Sequence, residues 1–336
     1  MVTDRLSERP GELDGIVVHD VRRLEPLTRV PGVRRVRLAP AVARLARRLE
    51  VDLVQAHYLF PYGWWAARAG VHPLVVSPWG TDILIDAQKS PGRERAKEAI
   101  AAADFLVVNS AVSEQATVAL GADPAQIERI VWYAEVDRFS RKQREPGFRA
   151  GLGWPDDALV VLSLRNFRPD TNLDVVVRAF AAAAREEPRA RLLLAARGGA
   201  LKGQIEALIG ELGLRDLVAV RFVSRDELPA AVASADVLVS MASSDSTPAS
   251  LLEAMASGLP CVCGVAPSID EWVGQGDGAE LVPHRDEGAL ATALLRLLRD
   301  AELRLAYGAR NARVARERLA EPGAAFEALY RRLLAR

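Results

Sequence analysis

Cysteine is nearly absent from this 336-residue chain: there are two, Cys261 and Cys263. They stand two apart in Pro260-Cys261-Val262-Cys263, which reads as a strand, so both point to one face. Two such neighbours make a poor disulfide and too few ligands for a metal, and buried packing is the expected role. Lysine is scarce too, four residues, while Arg and Ala abound, a genome bias rather than a chemistry. Net charge is missing: 44 Lys+Arg balance 44 Asp+Glu, so no global field argues for nucleic acid. No apolar run approaches the roughly 20 residues of a membrane-spanning helix. Met1-Val2-Thr3-Asp4-Arg5 lacks the charged-then-apolar pattern of a signal peptide, and a soluble, cytoplasmic protein is expected. Half the residues are apolar and 26% charged, which excludes a disordered chain. The length fits two domains at roughly 100–200 residues each.

What is present is alternation. In the second half, Leu159–Leu164, Arg191–Ala196, Val218–Val223, Val237–Met241, Cys261–Cys263 and Glu280–Val282 read as buried strands. Between most of them lie helical spacings: Asn172–Glu187, Leu201–Leu212, Glu227–Ala233 and Pro248–Ser257. The first half repeats this more weakly. Its strands are Gly15–Val21, Asp52–Ala56, Leu74–Ser77, Phe105–Asn109 and Ile127–Tyr133; its helices are Pro40–Glu50, Pro91–Ala103 and Ser113–Leu120. Strand–helix alternation of this kind predicts an α/β chain of two Rossmann-like, doubly wound domains. The cleft between two such domains is the default ligand site. The polar opening through Arg9-Pro10-Gly11 predicts that the N-terminal domain lacks its first strand–helix unit. An uncovered sheet edge would follow, and with it self-association and slow turnover.

The most informative stretch runs from Ser243 to Pro260, behind the strand Asp236–Met241. Ser246 or Thr247 can cap a helix that has Pro248 at its first position, followed by Ala249 and Ser250, and Gly258 ends it. A helix N-terminus beyond a strand's carboxyl end offers free N–H groups and a positive dipole to phosphate. Glu253, in mid-helix, can accept hydrogen bonds from sugar hydroxyls, and Asp245 sits in the same mouth. An ordinary capped helix with a surface Glu also fits. Arg165, at the end of the strand Leu159–Leu164, and Arg168 beyond it are candidates for the cation that a diphosphate leaving group needs; a solvated surface Arg is the plainer alternative. Lys202 reads as an exposed lysine at a helix start.

Asp245 and Glu253, separated by seven residues and followed by Ala254-Met255-Ala256-Ser257-Gly258-Leu259-Pro260, resemble the signature of the family 4 glycosyltransferases of the GT-B fold, the group 1 glycosyl transferases. The resemblance implies that Glu253 contacts the donor's ribose and that Asp245, shorter by a methylene than the family's Glu, lies near the donor sugar. Ser268-Ile269-Asp270-Glu271-Trp272-Val273 is similar to the family's Gly-x-x-Glu-Ile-Val, which brings in Glu271, and Glu280-Leu281-Val282-Pro283 to its Gly-x-Leu-Val-Pro. Where the family has a phosphate-binding Lys, this chain has Thr171.

In the first half, Ser77-Pro78-Trp79-Gly80-Thr81-Asp82 resembles the family's His-Gly-x-Asp loop, which faces the donor sugar. Trp79 replaces the His, either stacking on a ligand or packing inside; Asp82 keeps the acid. His57, in Gln55-Ala56-His57-Tyr58, ends a strand and can face the cleft, or serve structure alone. No P-loop, no glycine-rich dinucleotide fingerprint and no metal-ligand cluster occurs. Nine Arg and one acid in Arg22–Arg48 give that run a charge of +8, read either as a solvated face or as contact with an anionic membrane or acceptor.

The resemblance thus implies a metal-independent hexosyltransferase that moves a sugar from a nucleotide-diphosphate donor to an acceptor hydroxyl with retention of configuration. It needs no cofactor and no nucleic acid; its partners are a nucleotide sugar and an acceptor that is a glycan, a lipid-linked sugar or a small molecule. Asp245 and Asp82 are the expected catalytic residues. The expected domains are 1–143 on the acceptor side, 144–320 on the donor side, and a helix over 321–336 packing back toward the first. Trp79, Asp245 and Thr171 keep open a second reading, a catalytically impaired nucleotide-sugar-binding or regulatory protein or a truncated gene product. A nucleotide-sugar epimerase of the same architecture fits Asp245–Gly258 less well.

Overall fold

The computed structural model describes residues 2–3, 19–20, 33–131, 136–319 and 322–335. Its packing divides into two units, Met1–Ile130 with Gly323–Arg336, and Val131–Pro322.

The first unit begins with β1 (Val2–Thr3), paired in parallel with β2 (His19–Asp20). Then come α1 (Val33–Arg48), β3 (Val54–His57), α2 (Trp64–Ala69), β4 (Leu74–Ser77), α3 (Thr81–Leu84), α4 (Gly92–Ala102), β5 (Phe105–Val108), α5 (Ala111–Ala119) and β6 (Ile127–Arg129). Strands β3-β4-β5-β6 form a parallel sheet in that order. Leu74, Val75, Val76, Leu106, Val107 and Val108 are buried, as unbroken apolar strands covered on both faces must be. Residues 4–18, which carry the reading of a missing first unit, lie outside the described residues, as do Arg22, Arg23 and Arg29 of the basic run.

Helix α1 starts at Val33, seven residues before the Pro40 start that the spacing predicts, and runs through Pro40. A proline inside a helix forfeits one hydrogen bond. Buried Leu38, Ala39, Ala41 and Leu45 on both sides of it supply the compensating packing, with Leu38 against Trp65 of α2. Helix α5 also starts early, because Ser110 caps it: its Oγ accepts from Ser113 N–H at 3.1 Å.

The second unit holds β7 (Leu159–Ser163), α6 (Leu173–Glu186), β8 (Ala190–Ala195), α7 (Lys202–Glu211), β9 (Val218–Arg221), α8 (Leu228–Ala233), β10 (Val237–Ser240), α9 (Ala249–Ala256), β11 (Cys261–Gly264), α10 (Pro267–Asp270), β12 (Gly274–Gln275), β13 (Gly278–Val282), α11 (Glu287–Arg299) and α12 (Ala301–Arg318). The parallel sheet has the order β12-β13-β11-β10-β7-β8-β9. Chain order therefore reverses between β7 and β10. The segments after these two strands leave in opposite directions, which opens a crevice at their carboxyl ends. Cys261 and Cys263 are free thiols in the core of this sheet, and burial pushes Cys263 up to about 12.

The segment from Val136 to Trp154 belongs to this unit through two arginines. Arg149 donates to the carbonyls of Asp156 and Ser234 and to the Asp236 carboxylate at 2.9 Å, and Arg141 donates to Ala235 O at 2.7 Å. Both gather carbonyls at the end of α8, where a helix leaves acceptors unpaired. Close approach also sets glycine positions. A Cβ on Gly308 of α12 would stand 2.2 Å from Gly258 O, so α12 can cross the end of α9 only with glycine there. The final helix, Pro322–Leu334, packs within the first unit: Tyr330 donates to the Gln55 side chain, and the Arg332 guanidinium lies 4.9 Å from the Phe105 ring centroid.

Candidate functional site

The segment after β7 carries Arg165, half-buried at the carboxyl edge. Its Nε donates to Ser240 Oγ at 2.9 Å, at the end of β10, and its Nη1 to Asp245 Oδ2 at 2.6 Å. The two strands at the reversal point are thus tied by one guanidinium. The third nitrogen, Nη2, is buried with no hydrogen-bond partner among the described residues. A guanidinium N–H without an acceptor carries a desolvation cost that an incoming oxygen anion would remove.

The rest of that loop is closed on itself. Thr171 Oγ1 donates to Arg168 O at 2.7 Å and Asn166 O at 3.0 Å, so its hydroxyl holds the turn and the position carries no cation. Arg168 is exposed and makes a two-point pair with Asp170. Phe167 N–H donates to Gly198 O, and a Cβ on Gly199 (φ +144°) would meet Phe167 O at 2.2 Å. The loop after β8 therefore presses on the loop after β7 through a glycine. Lys202 lies 3.6 Å from Glu206 on its own helix.

Asn172 links this loop to the one after β10. Its Nδ2 donates to Met241 O and Ser243 Oγ, each at 2.7 Å, and its Oδ1 accepts from Arg285 Nη1 at 2.9 Å. Asp170 O accepts from Ser243 N–H at 2.8 Å. Sequence reasoning passed over Asn172 and Ser240. The available signal was an Asn just ahead of a helix: Asn tolerates the left-handed backbone, here φ +50°.

Beyond β10, Asp245 Oδ1 accepts from Ser246 N–H at 2.9 Å while Oδ2 takes Arg165. Helix α9 starts one residue later than expected: Pro248 stands at the N-cap and Ala249 is the first helical residue. Ser246, Thr247 and Pro248 are buried, as are Leu251, Leu252, Ala254 and Met255. Ala249, Ser250 and Glu253 are the partly exposed residues of α9, spaced as one helix face. Glu271 follows α10, half-exposed; its carbonyl accepts from Arg318, whose guanidinium lies 4.4 Å from the Trp272 ring centroid. Glu280 is buried and fully engaged by Gln275, Arg296 and Tyr307; the Tyr307 hydroxyl, burying itself on that carboxylate, is pushed up to about 12.

In the first unit, the carboxylate of Asp82 is buried among backbone donors. Oδ2 accepts from Leu59 N–H at 2.7 Å, and Oδ1 from Trp79 and Gly80 N–H at 2.9 Å each. Burial pushes its pKa up, against the pull of these three hydrogen bonds. One carboxylate thereby staples the segment after β3 to the segment after β4. Thr81 lies half-exposed at the start of α3. On the same edge the Trp79 indole Nε1–H donates to His57 Nδ1 at 3.1 Å, and Tyr58 stacks on Trp79 at 5.2 Å between centroids. No group of three or more His, Cys, Asp or Glu among the described residues is arranged to hold a metal ion, and no described helix is long and apolar enough to cross a membrane.

Known proteins resemble the chain in sequence and in fold. The family model "Glycosyl transferases group 1" matches residues 145–314, and "Glycosyl transferase 4-like" matches residues 3–110. The chain is 32% identical over 301 residues to a D-inositol 3-phosphate glycosyltransferase of Kineococcus radiotolerans, covering 81% of this chain and 69% of that one. Across the D-inositol 3-phosphate glycosyltransferases compared, it spans 59–69% of their length. Among solved structures it is similar to a sucrose-phosphate synthase from Thermosynechococcus elongatus, with a TM-score of 0.80 at 21% identity over 95% of this chain and 83% of that one. It is also similar to Anabaena HepE in complex with UDP and glucose, with a TM-score of 0.75 at 18% identity over 93% and 85%. Both likenesses are of fold, and the fold is GT-B. The chain belongs to the group 1 glycosyl transferase family.

Proposed function

We propose that this glycosyltransferase moves a hexosyl group from a nucleoside-diphosphate sugar to an acceptor hydroxyl, with retention of configuration and with neither metal ion nor cofactor. The observation that carries the reading is Arg165: clamped by Ser240 and Asp245 at the reversal point, with Nη2 buried and unpartnered. When the bond from the anomeric carbon to the diphosphate breaks, the electron pair stays on the diphosphate. A preorganised cation at that oxygen is what the departing group needs most. Glu253, with Ala249 and Ser250 on the open face of α9, is the proposed nucleotide-sugar contact, and Ser246, Thr247 and Pro248 form the wall beneath it. Arg168 is a second phosphate candidate once released from Asp170. Asp245 positions Arg165 and stands beside the donor sugar, with Glu271 on the segment beyond β11. Trp79, Gly80 and Thr81 are the proposed sugar-facing residues of the first unit, on a loop that Asp82 holds through its buried carboxylate.

Support also comes from the named relatives, which makes D-inositol 3-phosphate the first acceptor to try, ahead of glycans and lipid-linked sugars. Exposed Arg44, Arg47 and Arg48, with Leu49 beside them, are the proposed contact with an anionic acceptor or with the inner membrane face. The test is release of nucleoside diphosphate from UDP-glucose, ADP-glucose and GDP-mannose, with D-inositol 3-phosphate or water as acceptor and with EDTA present. Release that survives EDTA, with a product of the donor's anomeric configuration, supports the reading; no release from any donor defeats it.

A further inference from the structure

We propose that His57 donates a hydrogen bond from Nε2 to a substrate hydroxyl, and that Trp79 sets this polarity. The inference rests on the glycosyl-transfer reading above and adds a role to a residue it left unassigned. An indole N–H can only donate, so His57 Nδ1, 3.1 Å from Trp79 Nε1, must accept. A neutral imidazole that accepts at Nδ1 carries its proton at Nε2. No described residue receives that second N–H, and His57 as a residue is exposed. The atoms packed around the ring still push its pKa down, which favours the neutral form.

The geometry is fixed on both sides. His57 ends β3 in register with Ser77, which ends β4, so the ring stands at the carboxyl edge where parallel sheets receive ligands. Trp79 is held through its own backbone N–H by Asp82, and the same carboxylate takes Leu59 N–H, two residues beyond His57. The His57 and Trp79 rings meet edge to face at 5.6 Å between centroids, and Tyr58 stacks on Trp79. The imidazole is therefore oriented before any ligand arrives, with its one uncommitted polar group a donor. Hydroxyl oxygens of a sugar or polyol accept such a bond. In this tautomer Nε2 has no lone pair to take a proton, so the assignment is a donor and not a general base.

Both the donor sugar and a polyol acceptor offer that oxygen, and kinetics separate them. The full chain and the variants His57→Leu, His57→Gln and Trp79→Phe are assayed with whichever nucleotide sugar the wild type turns over, D-inositol 3-phosphate or water being the acceptor. His57→Leu is expected to raise one KM about tenfold, the donor's or the acceptor's, and so to name the source of the hydroxyl. His57→Gln, whose amide N–H₂ replaces the donor, is expected within about threefold of wild type. Long-range ¹H–¹⁵N spectra of the free chain should show the Nε2–H tautomer at His57, and Trp79→Phe should turn it into a mixture. Equal damage from Leu and Gln would mean a base and overturn the proposal. So would unchanged kinetics in His57→Leu, or the Nδ1–H tautomer in the wild type. A wild-type chain inert toward every nucleotide sugar would end the glycosyl-transfer reading itself, and this proposal with it, before any variant is compared.

Discussion

Both units put their candidate residues at the carboxyl edge of a parallel sheet, but they hold them by opposite means. The first unit uses a single anion, the buried Asp82 carboxylate, ringed by three backbone N–H groups. The second uses a cation, Arg165, ringed by a carboxylate and a serine, and leaves one guanidinium nitrogen over. The difference shows which polar groups are already committed to holding the fold. Asp82 has its oxygens occupied by the loops it staples, and Asp245 divides its own between Arg165 and Ser246 N–H. Among the described groups at these two edges, Arg165 Nη2 is uncommitted in one unit and, on the proposal above, His57 Nε2–H in the other: two donors, suited to a substrate rich in phosphate and hydroxyl oxygens.

Removing the staple should have the largest effect. Asp82→Ala orphans three largely buried backbone donors at about 1–3 kcal/mol each, a loss of roughly 3–9 kcal/mol from the first unit, read as an early transition in urea. Asp82→Asn keeps an acceptor for Trp79 and Gly80 but turns a donor toward Leu59, and should cost less. The pH response has a definite sign. Asp82 holds its proton more tightly folded than unfolded, so its contribution to stability falls as pH rises from the ordinary carboxylate value through the raised one. Asp82→Asn should flatten that stretch of the stability curve.

Breaking the cation comes next. Arg165→Ala should lower kcat/KM with a nucleotide sugar about 10²–10³-fold, the size expected for a donor aimed at developing negative charge. Arg165→Lys should recover only part, because a point charge cannot reach Ser240, Asp245 and a phosphate together. A smaller change is expected on the open face of α9: Glu253→Ala should weaken nucleotide binding about tenfold by calorimetry, with the melting transition in place. The smallest is Thr171→Val, which strips a turn of its hydroxyl bonds. It should cost about 1 kcal/mol of second-unit stability and leave nucleotide affinity alone, since Thr171 serves the loop.

Legibility followed the physics of burial. The strands of the second unit, the two-residue β12 apart, are readable to within about two residues because apolar runs covered on both faces leave a local trace; Leu159–Leu164 and Val237–Met241 correspond to β7 and β10. Helix α1 was misjudged at its start because Pro40 reads as a boundary, while the packing of Leu38 that carries the helix through it is not local. The positions of Arg165, Asp245 and Glu253 could be seen from strand ends and a helix start. Their partners could not. Ser240 is 75 residues from Arg165, and Asn172 about 70 from the carbonyl and hydroxyl it joins, so only the fold brings them together. The Trp79–His57 bond, across 22 residues, is equally invisible in the sequence.

The central claim is that the crevice between β7 and β10 grips a diphosphate through Arg165. Calorimetric titration of the full chain with UDP, ADP and GDP, and with the matching nucleosides, tests it directly when repeated on Arg165→Ala. One diphosphate should bind at least about tenfold more tightly than its nucleoside in the wild type, and that gap should close in the variant while nucleoside affinity holds. Equal weakening of both ligands, or a wild-type chain that prefers no diphosphate to its nucleoside, would contradict it.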